Sequence, residues 1–372
     1  MALRVLLALE WYDHRLHRGV ARVAAAEGWH LTCAAIHAGA QPVPAGWRGD
    51  GAITLLGDVT AQRRVRRACP HVIEVGLGAG FSGPRTVVDN HAIAALAVAH
   101  FRDRGYRCFA CLTHGVVAMF RERVACFTAG LKAVDLHAEV IDAADLPGQW
   151  QQRLAALGRR LSAQPGPLAV FAAQDGLGSE AILAALEAGL RVPDDVAVLG
   201  VDDVDLVCAA LAVPLASVDS DQEGLGHAAA LRLAGLIAGR ADPGDLRRWP
   251  PRGVVARRSA EALGTAHPGL RAAIALARRD PACGVPALAR AAGLSPQGLD
   301  KACRRDLQQN PGALLRRLRL DRIRDGLLAD ESLAVIARTA GLASATALCG
   351  VVRRATGLSP GQWRARLRRE AP

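Results

Sequence analysis

The sequence predicts an α/β domain over residues 1–258, joined by a linker at 259–267 to an all-α domain over 268–372. Three observations predict this. Short apolar runs alternate with helix-like runs up to about residue 258, the pattern of a largely parallel sheet covered by helices. Beyond Pro268 convincing strands stop, and the chain reads as about seven short helices. The charge changes at the same place: residues 1–267 hold 27 Lys and Arg against 27 Asp and Glu, whereas residues 268–372 hold 19 against 8. The whole formal net charge of +11 therefore sits in the last segment. An Arg-for-Lys bias explains why Lys301 is its only lysine, but not why the preceding residues balance. Clustered cations predict a polyanion partner, because neutralising phosphates releases condensed counterions.

The elements follow in order. Residues 4–9 read as a buried strand, and 14–27 as a helix ended by Gly28. Strands at 30–36 and 51–55, a short helix at 61–68 and a strand at 71–75 come next. Residues 85–88 are extended, and 90–104 form a long helix stopped by Gly105. A strand at 108–112 is followed by helices at 122–134 and 149–163, a strand at 168–172 and a helix at 178–189. A strand at 196–201 and a helix at 222–239 complete the alternation. Pro243, Pro250 and Pro251 then break the pattern over 239–251, before a short return at 253–258.

Composition and motifs exclude several classes. Aromatic residues are only 4%, so the cores are aliphatic. No apolar run reaches the roughly 18 residues of a membrane span. The run at 1–10 is followed by Trp11, Tyr12 and Asp13 rather than small residues, so it reads as a strand and not a leader, and a cytoplasmic protein is expected. The nine cysteines are scattered singly. Cys108 and Cys111 form a nominal CxxC, but residues three apart in a strand face opposite ways, so they read as buried apolar thiols. Gly78-Ala-Gly-Phe-Ser-Gly83 satisfies GxGxxG, yet Pro84 and an extended stretch follow where a dinucleotide site needs a helix. There is no Walker lysine motif, GxSxG or HExxH, and Asp202-Asp-Val-Asp205 lacks the partners of a metal site or glycosidase. No catalytic residue, metal or cofactor is expected.

Two stretches of the basic segment, 285–305 and 333–354, share one pattern. Each is an apolar-periodic helix, then Ala-Gly-Leu, then a small-residue helix start, then a second helix ending in Arg-Arg. This is the logic of a helix-turn-helix. Gly293 and Gly341 allow the left-handed turn that ends the first helix, Leu294 and Leu342 plug the angle, and Ser295 with Pro296 starts the second helix well. The second helix would lie in the major groove.

With a linking helix at 311–328 and the tail Gly357-Leu-Ser-Pro-Gly-Gln-Trp-Arg364, this order resembles the AraC/XylS DNA-binding domain. The resemblance implies that Gln297, Asp300, Lys301 and Arg304 face the groove from the first recognition helix, where Gln can read adenine and Lys or Arg guanine. The equivalent positions of the second, Ala345, Thr346, Cys349 and Gly350, have little hydrogen-bonding reach, and Cys303 and Val352 stand where the family has large aromatics. Base readout is therefore expected mainly from the first unit, with Thr346 a minor reader and Arg353 and Arg354 on phosphates.

The α/β part is similar to the periplasmic-binding-protein-like sensor of LacI-type repressors, and its union with an AraC-type domain resembles the XylR-like, xylose-responsive regulators. The landmarks are 11–20, 87–91, 121–127, 173–176, 196–203 and 214–218. The resemblance implies a two-lobed domain with an effector in the cleft, at the C-terminal ends of strands. Asp13, Arg123 and Asp203 match its ligand-contacting positions, with Asn90, Asp175 and Ser220 as secondary candidates, Trp11 as a stacking face and Phe120 near the cleft. Ser220 stands where xylose-binding members have Gln, so the resemblance does not carry the identity of the sugar. It implies a DNA-binding transcription activator controlled by a small molecule, a sugar such as a pentose. Its partners would be double-stranded DNA, a second copy of the chain through the α/β part, and RNA polymerase. Two other classes are a sugar-processing enzyme tethered to nucleic acid, marked by sugar turnover, and a constitutive DNA binder with a decayed sensor, marked by indifference to a sugar panel.

Overall fold

The computed structural model describes residues 2–36, 42–240, 246–265 and 267–370. The strands are β1 (Arg4–Leu9), β2 (His30–Cys33), β3 (Gly51–Leu55), β4 (His71–Glu74), β5 (Arg85–Val88), β6 (Cys108–Thr113), β7 (Ala138–Asp142), β8 (Leu168–Ala172), β9 (Val196–Val201), β10 (Ala216–Asp219), β11 (Leu246–Trp249) and β12 (Gly253–Val255). They form two sheets, in the orders β11-β5-β4-β3-β1-β2 and β12-β10-β9-β8-β6-β7. Every pairing is parallel except β12 with β10. The central strands β3, β8 and β9 are buried along their whole length, as expected where helices cover both faces.

The covering helices are α1 (His14–Ala26), α2 (Val59–Ala68), α3 (Asn90–Asp103), α4 (Ala118–Lys132), α5 (Trp150–Ser162), α6 (Asp175–Glu187), the single turn α7 (Asp205–Cys208) and α8 (Gln222–Ile237). Asp13, Asp58 and Asp89 cap α1, α2 and α3 with their carboxylates. Glycines let α1 and α8 pack at backbone distance. A Cβ on Gly19 would lie 2.1 Å from the Glu223 carbonyl, and one on Gly226 2.2 Å from that of Leu16.

The chain crosses between the sheets three times. The β5–α3 connection, the β10–α8 connection and the turn from β11 to β12 each leave one sheet and enter the other. These crossings make two lobes joined by short segments, with the C-terminal ends of both sheets facing one cleft.

After the 3₁₀ turn Arg258–Ala260, seven helices follow among the described residues: α9 (Pro268–Arg279), α10 (Val285–Ala292), α11 (Pro296–Leu307), α12 (Pro311–Leu328), α13 (Leu333–Thr339), α14 (Ala345–Thr356) and α15 (Pro360–Glu370). They build two cores. Leu288, Leu299, Cys303 and Leu307 define the first; Ile336, Leu348 and Val352 define the second. α12 serves both, giving Leu314, Leu315 and Leu318 to one and Ile323 and Leu327 to the other. Gly293 and Gly341 have φ of 65° and 68°, the left-handed turn between the helices of each pair. Trp363 packs on the second core, and Arg364 donates to Asp330 Oδ1 at 3.1 Å and to the Glu331 carbonyl at 2.5 Å.

Several elements differ from expectation. β7, β10 and β11 were not foreseen; β11 forms within the proline-broken stretch as a lobe-edge strand, where Leu246-Arg-Arg-Trp249 needs only one neighbour. α6 begins at Asp175, earlier than its apolar pattern, because Gln174 caps it. Cys108 is half-buried and Cys111 fully buried, and both are free thiols. Residues 78–84 form a loop between β4 and β5 without a helix. Among the described residues no helix is long and apolar enough to cross a membrane.

Candidate functional site

The cleft contains a cavity of about 420 Å³. Its wall is drawn from segments at the C-terminal ends of strands in both lobes: Leu9 and Trp11 to Leu16 at the end of β1, Leu55, Val75 and Val88, then Val117, Met119, Phe120, Gln174, Asp202 and Gln222. Leu9, Leu16, Leu55, Val75, Val88, Met119, Phe120 and Leu225 make much of that wall apolar, with the polar groups gathered at Asp13, Arg15, Asp202, Gln174 and Gln222.

Asp13 and Trp11 both line the cavity, but Asp13 is largely committed. It caps α1 through the N–H of Arg15 and receives the Arg15 guanidinium at 2.8 Å. Burial alone would raise its carboxyl; Arg15 holds it below the usual range. The same guanidinium reaches across the cleft and donates to the carbonyls of Asp202 and Asp203 at 2.6 and 2.8 Å. Arg15 thus ties one lobe to the other.

Arg123 has no exposed surface. It donates to Asn90 Oδ1 at 3.0 Å, to the Ala173 carbonyl at 2.6 Å and to Asp202 Oδ1 at 3.4 Å. Asn90 is held in turn on Glu122 at 2.6 Å, and Glu122 pairs with Arg248 across the lobe junction. Arg123 and Asn90 therefore sit behind the wall and orient what lies on it. Ser220 acts similarly, donating to Asp202 Oδ1 at 2.9 Å and accepting from Gln222 at 3.0 Å.

Asp203 and Asp175 are not on the cavity wall. Both Asp202 and Asp203 have positive φ, 95° and 51°, and this contorted pair puts Asp202 on the cavity while Asp203 turns inward. Asp203 pairs with Arg257 at 2.6 Å, at the start of the segment that leads to the helical domain. Asp175 accepts from Ser217 at 2.6 Å and from the Val204 N–H at 2.7 Å. Burial, with the nearby charges of Asp202 and Asp203, pushes its carboxyl up to about 7. Sequence reasoning missed Arg15, Asp202, Gln174 and Gln222 as wall residues. Asp202 was visible only as part of an acidic run, and nothing in the sequence announces the two left-handed residues.

In the helical domain α11 and α14 are the second helices of the two pairs. Gln297, Lys301 and Arg304 are exposed on α11, with Arg304 paired to the half-buried Asp300 at 2.6 Å. Thr346, Arg353 and Arg354 are exposed on α14, while Cys349 and Gly350 are half-buried. The two domains touch closely: a Cβ on Gly264 would meet the Tyr106 backbone at 2.5 Å, Thr265 bonds Asp306, and Arg317 donates to the Asp103 carbonyl at 2.6 Å.

Residues 98–260 match the family model of a periplasmic binding protein-like domain, and residues 288–366 that of a helix-turn-helix domain. The ribose operon repressor of Escherichia coli (strain K12) is 26% identical over 189 residues, 49% of this chain and 56% of the repressor. The xylose operon regulatory protein of the same strain is 23% identical over 334 residues, covering 86% of this chain and 84% of that protein. The chain spans about half the length of the repressors it matches. A solved structure of the xylose-binding transcription activator XylR superposes with a TM-score of 0.65 at 21% identity, covering 98% of both chains, so the fold is shared along the entire length.

Proposed function

We propose that this chain, XylR-like in placing a periplasmic-binding-protein-like domain before an AraC-type helix-turn-helix domain, is a sugar-responsive, DNA-binding transcription regulator. The observation that carries the reading is the pairing of an interlobe cavity with a helical segment, residues 268–372, that contains two helix-turn-helix units and holds the chain's entire charge excess. We place the domain division at residues 259–267. Gln297, Asp300, Lys301 and Arg304 read bases from α11, Thr346 contributes little, and Arg353 and Arg354 clamp phosphates from α14. In the sensor, Trp11, Asp13 and Asp202 meet the effector, with Asn90, Arg123 and Ser220 orienting Asp202 and with Asp175 and Asp203 shaping the loop behind it. A monosaccharide such as a pentose supplies the hydroxyls that these groups recognise.

Effector binding favours the closed arrangement of the lobes, in which Arg15 holds Asp202 and Asp203, and so biases the attached DNA-binding domain. The regulator works as a cytoplasmic homodimer through the α/β part and activates RNA polymerase at its promoter. Selection of duplexes from a randomised pool by the full chain, followed by titration at several salt concentrations, tests the DNA reading. Enrichment of a common sequence with affinity falling steeply with salt is expected; attachment indifferent to salt overturns it. A thermal-shift panel of pentoses, hexoses and uronic acids tests the sensor.

A further inference from the structure

The cavity does not end where the candidate effector site ends. A second chamber of about 270 Å³ adjoins it, and Trp11, Leu55, Val117 and Met119 line both. Ligand pockets run to roughly 300–1,000 Å³, so the first chamber alone already suffices for a small effector, and a single pentose leaves the second unfilled.

The chambers differ in chemistry. The guanidinium on the first chamber's wall is committed, Arg15 to Asp13 and two carbonyls, and so is the one behind it, Arg123 to Asn90, the Ala173 carbonyl and Asp202. Among the described residues no uncommitted Arg or Lys lines it for a phosphate or carboxylate, whereas Asp202 uses one carboxylate oxygen on protein donors and turns toward the cavity. The second chamber faces Glu10 from one lobe and Arg121 from the other. Glu10 accepts the N–H groups of Gly57 and Asp58 at 2.8 and 3.2 Å and keeps further lone pairs, while Arg121 is exposed and, among the described residues, donates to the Gly115 carbonyl alone. A hydroxylated ring placed there meets an acceptor on one side and a donor on the other, and an anion drawn to Arg121 would face the Glu10 carboxylate in the same chamber. Trp11 stands at the junction, its side of the wall common to both.

We propose that the effector is an uncharged saccharide of at least two rings, one in each chamber, with Trp11 at the link between them. This rests on the reading of the cleft as a sugar site. The test is isothermal titration of the full chain with xylose, glucose and galactose, and with xylobiose, cellobiose and lactose. At least one disaccharide should bind tenfold or more tightly than either monosaccharide it contains. Ala118→Trp, which fills the second chamber, and Arg121→Met, which removes its donor at similar length, should each weaken that disaccharide at least tenfold, with melting of the unliganded variants as the folding check. Monosaccharides binding as tightly as the disaccharides that contain them, or variants that are both within twofold of the parent, overturn the proposal and leave the sugar reading standing. A chain that binds DNA but no saccharide of either length overturns both.

Discussion

Replacing Arg123 by alanine takes three hydrogen bonds out of a place that water does not reach. Asn90 Oδ1 and the Ala173 carbonyl then lose their Arg123 donor, each at a cost of about 1–3 kcal/mol. Asp202 fares better, because Ser220 still donates to it and it borders the cavity. The total of about 2–6 kcal/mol agrees with the roughly 3–5 kcal/mol seen when one member of a buried pair is removed. In a domain of this size 1 kcal/mol moves the midpoint by about 2–4 °C, so Arg123→Ala should lower the sensor's melting temperature by on the order of 10 °C. It should also weaken any effector-induced shift, since Asp202 keeps the Ser220 donor but loses the second group that orients it. Scanning calorimetry of the full chain with and without an effector from the thermal-shift panel reads both effects, and Arg123→Lys should recover only part of the stability. A variant that melts within 2 °C or so of the parent and retains the full effector shift would refute the reasoning.

Other expectations follow from the same geometry. Glu74 is buried, accepts from Thr54 and from the Leu56 and Gly76 N–H groups, and burial pushes its carboxyl up to about 7. Its folded value lies above the unfolded one of about 4.3, so the folded state holds the proton longer and stability falls as pH rises from about 4 to 7. Glu74→Gln should therefore gain melting temperature over the parent progressively between pH 5 and 8; an advantage independent of pH counts against this assignment. Gly341→Ala should destabilise more than Gly293→Ala in denaturant titration. Both incur roughly 1–2 kcal/mol for the left-handed backbone, but a Cβ at 341 also lies 2.3 Å from the Ala282 nitrogen while one at 293 meets nothing. Lys301→Ala should relax sequence selection more than Thr346→Ala, and Arg353→Ala should weaken all duplexes alike and reduce the salt slope by about 1; the reverse ranking would place base readout on α14.

The alternating architecture was legible because its central strands are unbroken apolar runs, such as Val196–Val201, and its helices carry Asp caps. The paired helices were legible through Gly293, Gly341 and Ser295, whose backbone roles are local and need no tertiary information. β7, β10 and β11 were not. Ala138–Asp142 and Leu246–Trp249 are edge strands with exposed or half-buried positions, and Ala216–Asp219 spends two of its four residues on Ser and Asp that bond inward. The site shows the same limit. Arg123 was found as a polar residue in a recognisable run, but whether Asp202 or Asp203 meets the cavity depends on two positive φ angles, and the lobe-spanning role of Arg15 depends on a partner 187 residues away.

The shared helix α12 has a consequence for how an operator would be read. Its 18 residues make a rod about 27 Å long at 1.5 Å per residue, and each end is seated in a different core. The two reading heads are thus mounted on one bar of set length rather than on a tether. One turn of duplex advances about 34 Å, so inserting half a turn between the two contacted stretches would swing the second to the far side of the double helix, beyond the reach of a gauge that cannot stretch.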